Sequence, residues 1–473
     1  MFLICLFAAF VSAGCMVGPD YARPKTVADI NDGFYYAGSN IQDPNRLSEM
    51  DRWWENFGDP VTTQLVLEVL ENNYDLRASA ARVLQSKAAL AEVKGRRMPD
   101  VSYNLNRDRS KRSFKFGPER FSVLSTTFSQ DISIAYVLDL FGKLKRAERA
   151  ALAEMFSSQA TRQGLVNSIV ATAINARINI ATIQKRLEIA RANTESRQQT
   201  LEIVERRYSQ GLVGPVDVRL ARENLAAAKA VEPGIELSLI TAHHALDVLL
   251  ARRPGSSGKL PQTLSDLPDL GSVPVGLPAS LLDRRPDVIA AEFALRASSE
   301  QIGVSIAQLY PDLTLTGSYG FAADQLHTIF QEDETEAYSL LFRLTAPIFK
   351  GGQLRAGIDA ARARHAEAAA NYASTVLTAL KEVEDSLIRE QMLTEQLRHI
   401  QVRFEEARAA EELSKQRYQR GVEGILTILE SERRRRTAEN ELAILKGQIW
   451  TTRVNLFLAL GGDWDYQQVV VEK

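Results

Sequence analysis

Residues 417–424 read RYQRGVEG and residues 207–214 read RYSQGLVG, so one phrase occurs twice in the chain. In both copies a long helical pattern stops at the first glycine and resumes a few residues later, as expected where a left-handed glycine ends a helix. Each phrase is therefore predicted to be the tip of a helical hairpin, although a simple turn without further function would show the same pattern. The glycines assigned to these turns are Gly211, Gly214, Gly421 and Gly424.

Other landmarks repeat with nearly the same offset. The dipeptide PD at 99–100 returns at 311–312, and LFGK at 140–143 returns in weakened form as IFKG at 348–351. The landmarks also keep their order, which chance matches seldom do. The chain of 473 residues is therefore predicted to contain a duplicated unit rather than several unrelated domains.

The duplication sets the predicted domain boundaries. The ranges are 61–253 for the first repeat, 254–285 for a proline-rich crossover, 286–462 for the second repeat and 463–473 for a C-terminal tail. Five prolines prevent the crossover from being one helix. Within the first repeat, Asp59 and Pro60 are expected to start a helix that runs to about Arg97.

Each repeat contains a region where the pattern changes from helical to alternating. Apolar residues occupy nearly every second position within about 100–140 and again within about 312–349, with Leu341 as an exception, which predicts a strand pair in each repeat. Four strands are too few to enclose a channel, and a strand in lipid cannot leave its edge unpaired. The strands therefore form either a small soluble sheet or a barrel to which several chains contribute.

The segments that connect the strands of each pair differ in charge. Residues 107–120 are basic and residues 324–336 are acidic. Both are predicted to be connecting segments that face the exterior of the cell.

Long helical patterns follow each strand pair. They run from Lys143 to about Gln210 and from Gln353 to about Arg420, and each could extend about 100 Å as a helix. Apolar and small residues recur at three- and four-residue steps, which is typical of a coiled-coil seam. A coiled-coil stalk without a channel would share this periodicity.

The N-terminus resembles that of a bacterial lipoprotein. Residues 1–14 are predicted to be a signal peptide, and the small residues before Cys15 indicate that this cysteine carries a covalent lipid. Residues 15–60 would then form a lipidated extended segment. An ordinary signal peptide with an incidental cysteine is the alternative. Because Cys5 would leave with the signal peptide, no intrachain disulfide is expected.

Composition excludes several classes of function. The formal net charge is −2, so no nucleic-acid partner is expected. No phosphate-binding loop, zinc-protease motif or nucleophile elbow is present, which predicts no catalytic residue, metal or cofactor. The adjacent histidines His243 and His244 point about 100° apart on a helix and do not suit a metal site.

Two N-terminal motifs carry a resemblance to a known family. CMVGPDY at 15–21 and WWENFGDP at 53–60, in a duplicated helical chain, resemble the outer-membrane factors. These are the TolC- and OprM-like exit ducts of efflux pumps, and the match is to the NodT-type lipoprotein subgroup. The resemblance covers nearly the whole chain.

The resemblance implies a mainly α fold with a membrane β-barrel. Three chains would close a twelve-stranded barrel above a long periplasmic α-helical tube, as an outer-membrane lipoprotein. The expected partners are two further copies of the chain, a periplasmic adaptor, an inner-membrane pump and outer-membrane lipid, and the expected cargo is small toxic compounds. Protein secretion of type I and metal efflux remain alternatives, and a non-conducting periplasmic coiled-coil lipoprotein is the alternative from a different class.

The hairpin tips contain the candidate functional residues. Leu426 and Glu430 lie four residues apart on one helical face just past the second turn, so an oligomer would present a ring of leucines and a ring of carboxylates. The resemblance implies that these positions form the periplasmic gate, usually with aspartate where this chain has Glu430. An exposed acid beside a core leucine is the alternative.

The resemblance also implies a latch between neighbouring hairpins. Tyr418 and Asp217 match residues that bond between hairpins and hold the tip closed. Glu423 departs from the family pattern, since one well-known member has a basic latch residue there. The run Arg433–Arg436 is a candidate source of a replacement cation, although most of it is expected to face solvent.

Overall fold

The computed structural model describes residues 16–25, 33–37, 52–256, 258, 283–329 and 335–462. The predicted signal peptide, Cys15, most of the crossover and the C-terminal tail lie outside these residues. The elements in chain order are a 3-10 helix Trp53–Phe57, α1 Pro60–Asn72, α2 Tyr74–Gly95, β1 Asp100–Phe116, β2 Glu119–Leu138, α3 Lys143–Ser209, α4 Pro215–Leu249, α5 Pro286–Ala307, β3 Asp312–Ala323, β4 Glu336–Thr345, α6 Gln353–Gln419 and α7 Ile425–Ala459.

From the helix that precedes the strands onward, the two repeats have the same order of elements, and only the first repeat has a further helix, α1, before it. The long helices α3 and α6 contain 67 residues each, and the returning helices α4 and α7 contain 35 residues each. A strand pair precedes the long helix in both repeats. The duplicated architecture and the four strands are therefore confirmed, while the domain boundaries stay a prediction.

The helix predicted from Pro60 to about Arg97 is two helices. Asn73 has an extended backbone, with ψ 129°, and separates α1 from α2. Its side-chain oxygen accepts hydrogen bonds from the backbone N–H groups of Asp75 and Leu76, at 2.9 and 3.2 Å. Asparagine is a favoured helix N-cap for this reason. The prediction of one continuous helix was wrong because the 3.6-residue pattern continues across the break.

The chain divides into two compact units, each of which takes segments from both repeats. The first unit includes residues 82–159 and 290–373 and contains the sheet. The strand order is β1-β2-β3-β4, with all neighbours antiparallel.

One face of this sheet is apolar and the other is polar. The register places Leu105 opposite Gln130, and Gln130 opposite Phe321, on the apolar face. On the other face, serine pairs bond across strands, with Ser102 and Ser133 at 2.8 Å and Ser318 and Ser339 at 2.8 Å. The exposed residues of the apolar face include Val101, Tyr103, Leu105, Ile132, Ile134, Tyr319, Tyr338, Leu340, Phe342 and Leu344.

The first connecting segment is not a loop. Strand β1 continues to Phe116 and β2 begins at Glu119, so residues 107–120 form a two-stranded ribbon closed at Gly117, which has φ 62°. Only residues 128–138 of β2 pair with β3. The prediction of a connecting loop here was wrong, because charged residues replace the apolar ones along one face and hide the alternation. In the second segment, the acidic residues 332–334 lie outside the described part of the chain.

Arg146 fixes the N-terminal segment of this unit. Its side chain is almost fully buried and pairs with Glu300 at 2.8 Å. It also donates to the backbone oxygens of Val17 and Gly18, at 3.2 and 3.1 Å. Residues 17 and 18, just after the predicted lipidation site, are therefore held against α3.

The second unit contains the ends of the helical hairpins and the aromatic motif WWENF. Trp53 stacks on Phe457 with ring centroids 5.5 Å apart, and Phe57 stacks on Trp450 at 5.2 Å. These rings are buried and join the 3-10 helix to α7. Among the described residues, none of the helices has both the length and the low polarity needed to cross a membrane.

Candidate functional site: the hairpin tips

Both hairpins turn with the same backbone geometry. Gly211 and Gly421 have φ 73° and 78°, which is the left-handed region that glycine adopts readily. The N–H of each glycine donates to the backbone oxygen of a tyrosine, Tyr208 or Tyr418, at 2.9 Å. Gly214, with φ −86°, is the extended N-cap that starts α4.

Gly424 has the matching place and geometry, with φ −87°, at the start of α7. The four predicted turn glycines therefore lie in two turns that have the same backbone geometry.

The tips share one apolar cluster, to which all four hairpin helices contribute. Its buried residues are Leu201 and Val204 of α3, Val218, Ala221 and Leu225 of α4, Tyr418 of α6, and Ile425, Ile428 and Leu429 of α7. The repeat is asymmetric here, because Tyr418 is 2% exposed whereas its counterpart Tyr208 is 48% exposed. The second-hairpin tyrosine is therefore a core residue.

Arg207 joins the first hairpin to the second. It donates to the backbone oxygen of Tyr418, and its guanidinium carbon lies 4.7 Å from the centroid of the Tyr418 ring. A cation over an aromatic face is attracted by the ring quadrupole. Both contacts cross from one hairpin tip to the other.

The matching arginine of the second repeat has a different partner. Arg417 donates to Glu423 at 3.1 Å within its own turn, and Glu423 also accepts from Thr427 at 3.0 Å. In the first repeat Val213 stands where the second has Glu423. Because its own turn has no acid, Arg207 is free to reach the neighbouring hairpin.

The Tyr418 hydroxyl is buried and has no hydrogen-bond partner among the residues that the structure describes. Burial raises its pKa, and the Asp217 charge raises the pKa further, while Arg207 lowers it. Asp217 lies in the first turn of α4, half-buried. The predicted bond between Tyr418 and Asp217 is thus not made within one chain, and a bond between chains stays a prediction.

Glu430 is not a bare carboxylate. It accepts hydrogen bonds from Arg433 at 2.7 and 2.8 Å and from Arg434 at 2.7 Å. These two hydrogen-bonded cations lower the pKa of Glu430 to about 2. Arg433 and Arg434 are exposed, as expected for most of the arginine run, and their three- and four-residue spacing also places them beside Glu430. Arg435 is instead largely covered and pairs with Glu411 and Glu439. Leu426, one turn earlier, is 66% exposed.

A charge network that the sequence did not reveal lies next to the tip cluster. Glu432 is buried and accepts from Thr200 of α3 at 2.8 Å and pairs with Lys415 of α6 at 3.3 Å. Lys415 also pairs with Glu411 at 2.7 Å, and Glu411 is bonded to Arg435 of α7. The network ties three helices together. Only the four-residue spacing of Glu411 and Lys415 could have indicated part of it.

Within the described residues, no group of three or more His, Cys, Asp or Glu side chains is placed to hold a metal ion. The tip instead combines an exposed leucine, a neutralised acid and contacts between hairpins.

The sequence model of the outer membrane efflux protein family matches residues 65–252 and 277–462. The chain belongs to this family. The two matched segments correspond to the two repeats.

Curated relatives of this efflux protein match it over nearly their full length. The toluene efflux pump outer membrane protein TtgF of Pseudomonas putida is 30% identical over 465 residues, covering 96% of this chain and 95% of the relative. The pyoverdine export outer membrane protein OpmQ of Pseudomonas aeruginosa is 31% identical over 434 residues, covering 88% of each.

A solved structure confirms the fold of the family. The outer-membrane channel OprN superposes with a TM-score of 0.85 at 30% identity, covering 95% of this chain and 99% of that one. The predicted family, fold class and role as an outer-membrane efflux channel are therefore confirmed. The predicted roles of Leu426, Glu430, Tyr418 and Asp217 stay predictions.

Proposed function

We propose that three copies of this chain form the exit duct of a tripartite efflux pump. The observation that carries the proposal is the sheet of four strands with one apolar face and two open edges. Strands in lipid must have both edges paired. Pairing β1 of one copy with β4 of the next satisfies both edges, and three copies of a four-stranded sheet give a barrel of twelve strands.

The duct conducts passively and catalyses no reaction. An inner-membrane pump supplies the energy, and a periplasmic adaptor joins that pump to the hairpin tips. Cys15 carries a lipid that adds a second hold on the outer membrane, while the helical hairpins extend into the periplasm. The clamp of Arg146 on Val17 and Gly18 supports this placement, because it holds the chain next to Cys15 against α3 in the same unit as the sheet.

The cargo proposed is small organic compounds. The names of the relatives specify toluene and pyoverdine, which are small molecules rather than proteins. Only six methionines and five histidines occur in the chain, which disfavours a channel specialised for metal ions. A wide duct selects little by itself, so the pump determines the cargo.

The tips form the gate. Leu426 narrows the entrance with an exposed apolar side chain, and Glu430 with its two arginines places one carboxylate and two cations one turn further on. Apolar constrictions resist hydration and so close a pore to ions. Contacts between hairpins, including Arg207 on Tyr418 and a Tyr418–Asp217 bond between chains, hold the gate closed until an adaptor separates them.

Planar-bilayer recording tests the proposal. The purified protein should migrate as a heat-modifiable oligomer and produce single-channel currents that rise when the tips are loosened. A periplasmic coiled-coil lipoprotein without a channel would bind membranes through its lipid and produce no current.

A further inference from the structure

The ribbon formed by residues 107–116 and 119–128 has two faces of opposite character. The face continuous with the apolar side of the sheet contains five cations and no carboxylate. Its charged residues are Arg107, Arg109, Lys111, Lys115 and Arg120. The other face contains one cation, Arg112, and two acids, Asp108 and Glu119.

The cations begin where the apolar face ends. Tyr103, Tyr319 and Tyr338 share one row across the sheet with Ile132. The next row on the same face is Leu105, Gln130, Phe321 and Glu336, and Arg107 and Phe128 follow it. The guanidinium carbon of Arg107 lies 5.5 Å from the centroid of the Phe128 ring. An aromatic row followed by cations is the order that a surface has when it passes from hydrocarbon to lipid headgroups.

The dimensions agree with a membrane. The apolar face spans residues 313–321 of β3. Nine residues of a strand tilted by about 40° rise about 23 Å, close to the roughly 25 Å apolar band of outer-membrane barrels.

The ribbon is at the end of the sheet away from the helices. Asp100, Leu138, Asp312 and Thr345, which border the helical segments, lie together at the opposite end, as the register shows. If the helices extend into the periplasm, as the proposed function requires, the ribbon stands at the outer leaflet.

We infer that this cationic face binds the phosphate groups of the glycolipid that forms the outer leaflet. Arginine and lysine are the side chains that recognise phosphate, and arginine does so with two parallel hydrogen bonds. All five cations are exposed, and none is in an ion pair with another described residue. A carboxylate of the same face, Glu336, lies on β4 at the edge of the apolar band rather than on the ribbon.

A matched pair of variants tests this inference, which rests on the proposed function. Lys111 and Arg112 are neighbours on opposite faces, so Lys111→Ser and Arg112→Ser each remove one cation from one face only. The full-length oligomer in detergent is mixed with the bisphosphorylated glycolipid, with the same glycolipid after enzymatic removal of its phosphates, and with phosphatidylglycerol. Retained lipid is counted by native mass spectrometry.

The parent should prefer the phosphorylated glycolipid to both other lipids. Lys111→Ser should weaken that binding by about fivefold, the effect of one cation near an anionic surface, whereas Arg112→Ser should leave it unchanged. The triple variant Arg109→Ser, Lys111→Ser, Lys115→Ser should abolish the preference.

Equal binding of the phosphate-free glycolipid overturns the inference, and so do equal effects of the two single variants. Equal binding of phosphatidylglycerol overturns the assignment to the outer leaflet. The parent comparison needs no variant, so a variant that fails to fold leaves the test intact. Conductance of the same preparations separates the two proposals, since a conducting parent without lipid preference overturns this inference alone.

Discussion

The guanidinium group of Arg207 lies over the ring of Tyr418, 4.7 Å from its centroid, and donates to the backbone oxygen of the same residue. Arg417, at the matching position of the second repeat, instead bonds to Glu423 within its own turn. One duplicated phrase therefore serves two purposes. The first copy fastens the two hairpins together, and the second closes its own turn.

Replacing these two arginines separately tests that difference. Arg207→Met should raise the resting conductance and lower the temperature at which the oligomer dissociates, because it removes contacts between hairpins. Arg417→Met should change both properties little, since the exposed pair it breaks is worth only about 0 to 1 kcal/mol. Bilayer recording and thermal dissociation of the two variants provide the comparison. Equal effects would show that Arg207 does not fasten the tips.

The pairing of Glu430 reverses a simple expectation about selectivity. A bare ring of carboxylates would favour cations, but each Glu430 is bonded to Arg433 and Arg434. Glu430→Gln should therefore leave two cations uncompensated and shift the reversal potential in a KCl gradient toward anion selectivity. The double variant Glu430→Gln, Arg433→Gln removes one charge of each sign, keeps the parent net charge and should restore the parent value. A shift of the single variant that the double variant does not reverse would contradict the pairing.

The same pairing predicts how the proposed gate responds to pH. Hydrogen bonds from Arg433 and then Arg434 lower the pKa of Glu430 from 4.5 to about 2. The Glu430 carboxylate therefore contributes its full stabilisation of the folded tip above about pH 4.5. That contribution is lost as the pH falls through about 2. Selectivity should stay constant from pH 7 to pH 4 at low salt. A change centred near pH 4.5 would show that the carboxylate is not paired, and the comparison with Arg433→Gln, Arg434→Gln supplies the unpaired control.

The turn glycines differ in what they tolerate. Gly421 has φ 78°, where a Cβ is strained, whereas Gly424 has φ −87° and open space around the position of a Cβ. Gly421→Ala should lower the free energy of unfolding by about 1 to 2 kcal/mol, and Gly424→Ala should lower it by much less. The temperature at which the oligomer dissociates, measured for both variants, should fall more for Gly421→Ala than for Gly424→Ala. Equal losses would mean that the tip adjusts its backbone.

The turns and strands were predictable because each has a local cause. A left-handed glycine ends a helix whatever surrounds it, and alternation identified the strands wherever one face is apolar. The ribbon was missed because cations at 107, 109 and 111 replace the apolar partners of the alternation. The break at Asn73 was missed because a favoured N-cap can also occupy the interior of a helical pattern.

The contacts at the tip depend on sequence differences between the two repeats. Arg207 and Arg417 occur in the same phrase, so the phrase itself cannot tell which one crosses to the other hairpin. Val213 in the first repeat and Glu423 in the second explain the different partners of the two arginines. This explanation requires the turn geometry, which shows that Arg417 reaches Glu423. The bonds of Arg433 and Arg434 to Glu430 follow from their spacing and could have been predicted.

The lipid predicted on Cys15 should be less important for membrane attachment than the proposed barrel. Strands from several chains bury far more apolar surface than acyl chains do. Cys15→Ala, exported with a signal peptide that leaves no lipid, should still yield membrane-bound oligomers in fractionated cells. Mass spectrometry of the parent should show the lipid on Cys15. Soluble periplasmic monomers of the variant would contradict the barrel.

The buried hydroxyl of Tyr418 gives the sharpest test of the latch. It has no partner among the described residues of a single chain, and an unpaired buried polar group is costly. A neighbouring copy that places Asp217 against this hydroxyl would remove that cost through a charge-assisted bond of about 1.5 to 3 kcal/mol. If that bond forms, Tyr418→Phe and Asp217→Ala should each raise the resting conductance, and the double variant should raise it no further than the larger single effect.

If the bond does not form, Tyr418→Phe should be neutral or stabilising, because phenylalanine fills the same apolar cluster without a polar group to bury. The double variant would then show the simple sum of the two single effects. Bilayer recording of the parent, both single variants and the double variant at equal insertion completes the cycle. Additive effects would place the contact that holds the tips closed at Arg207 rather than at Tyr418 and Asp217.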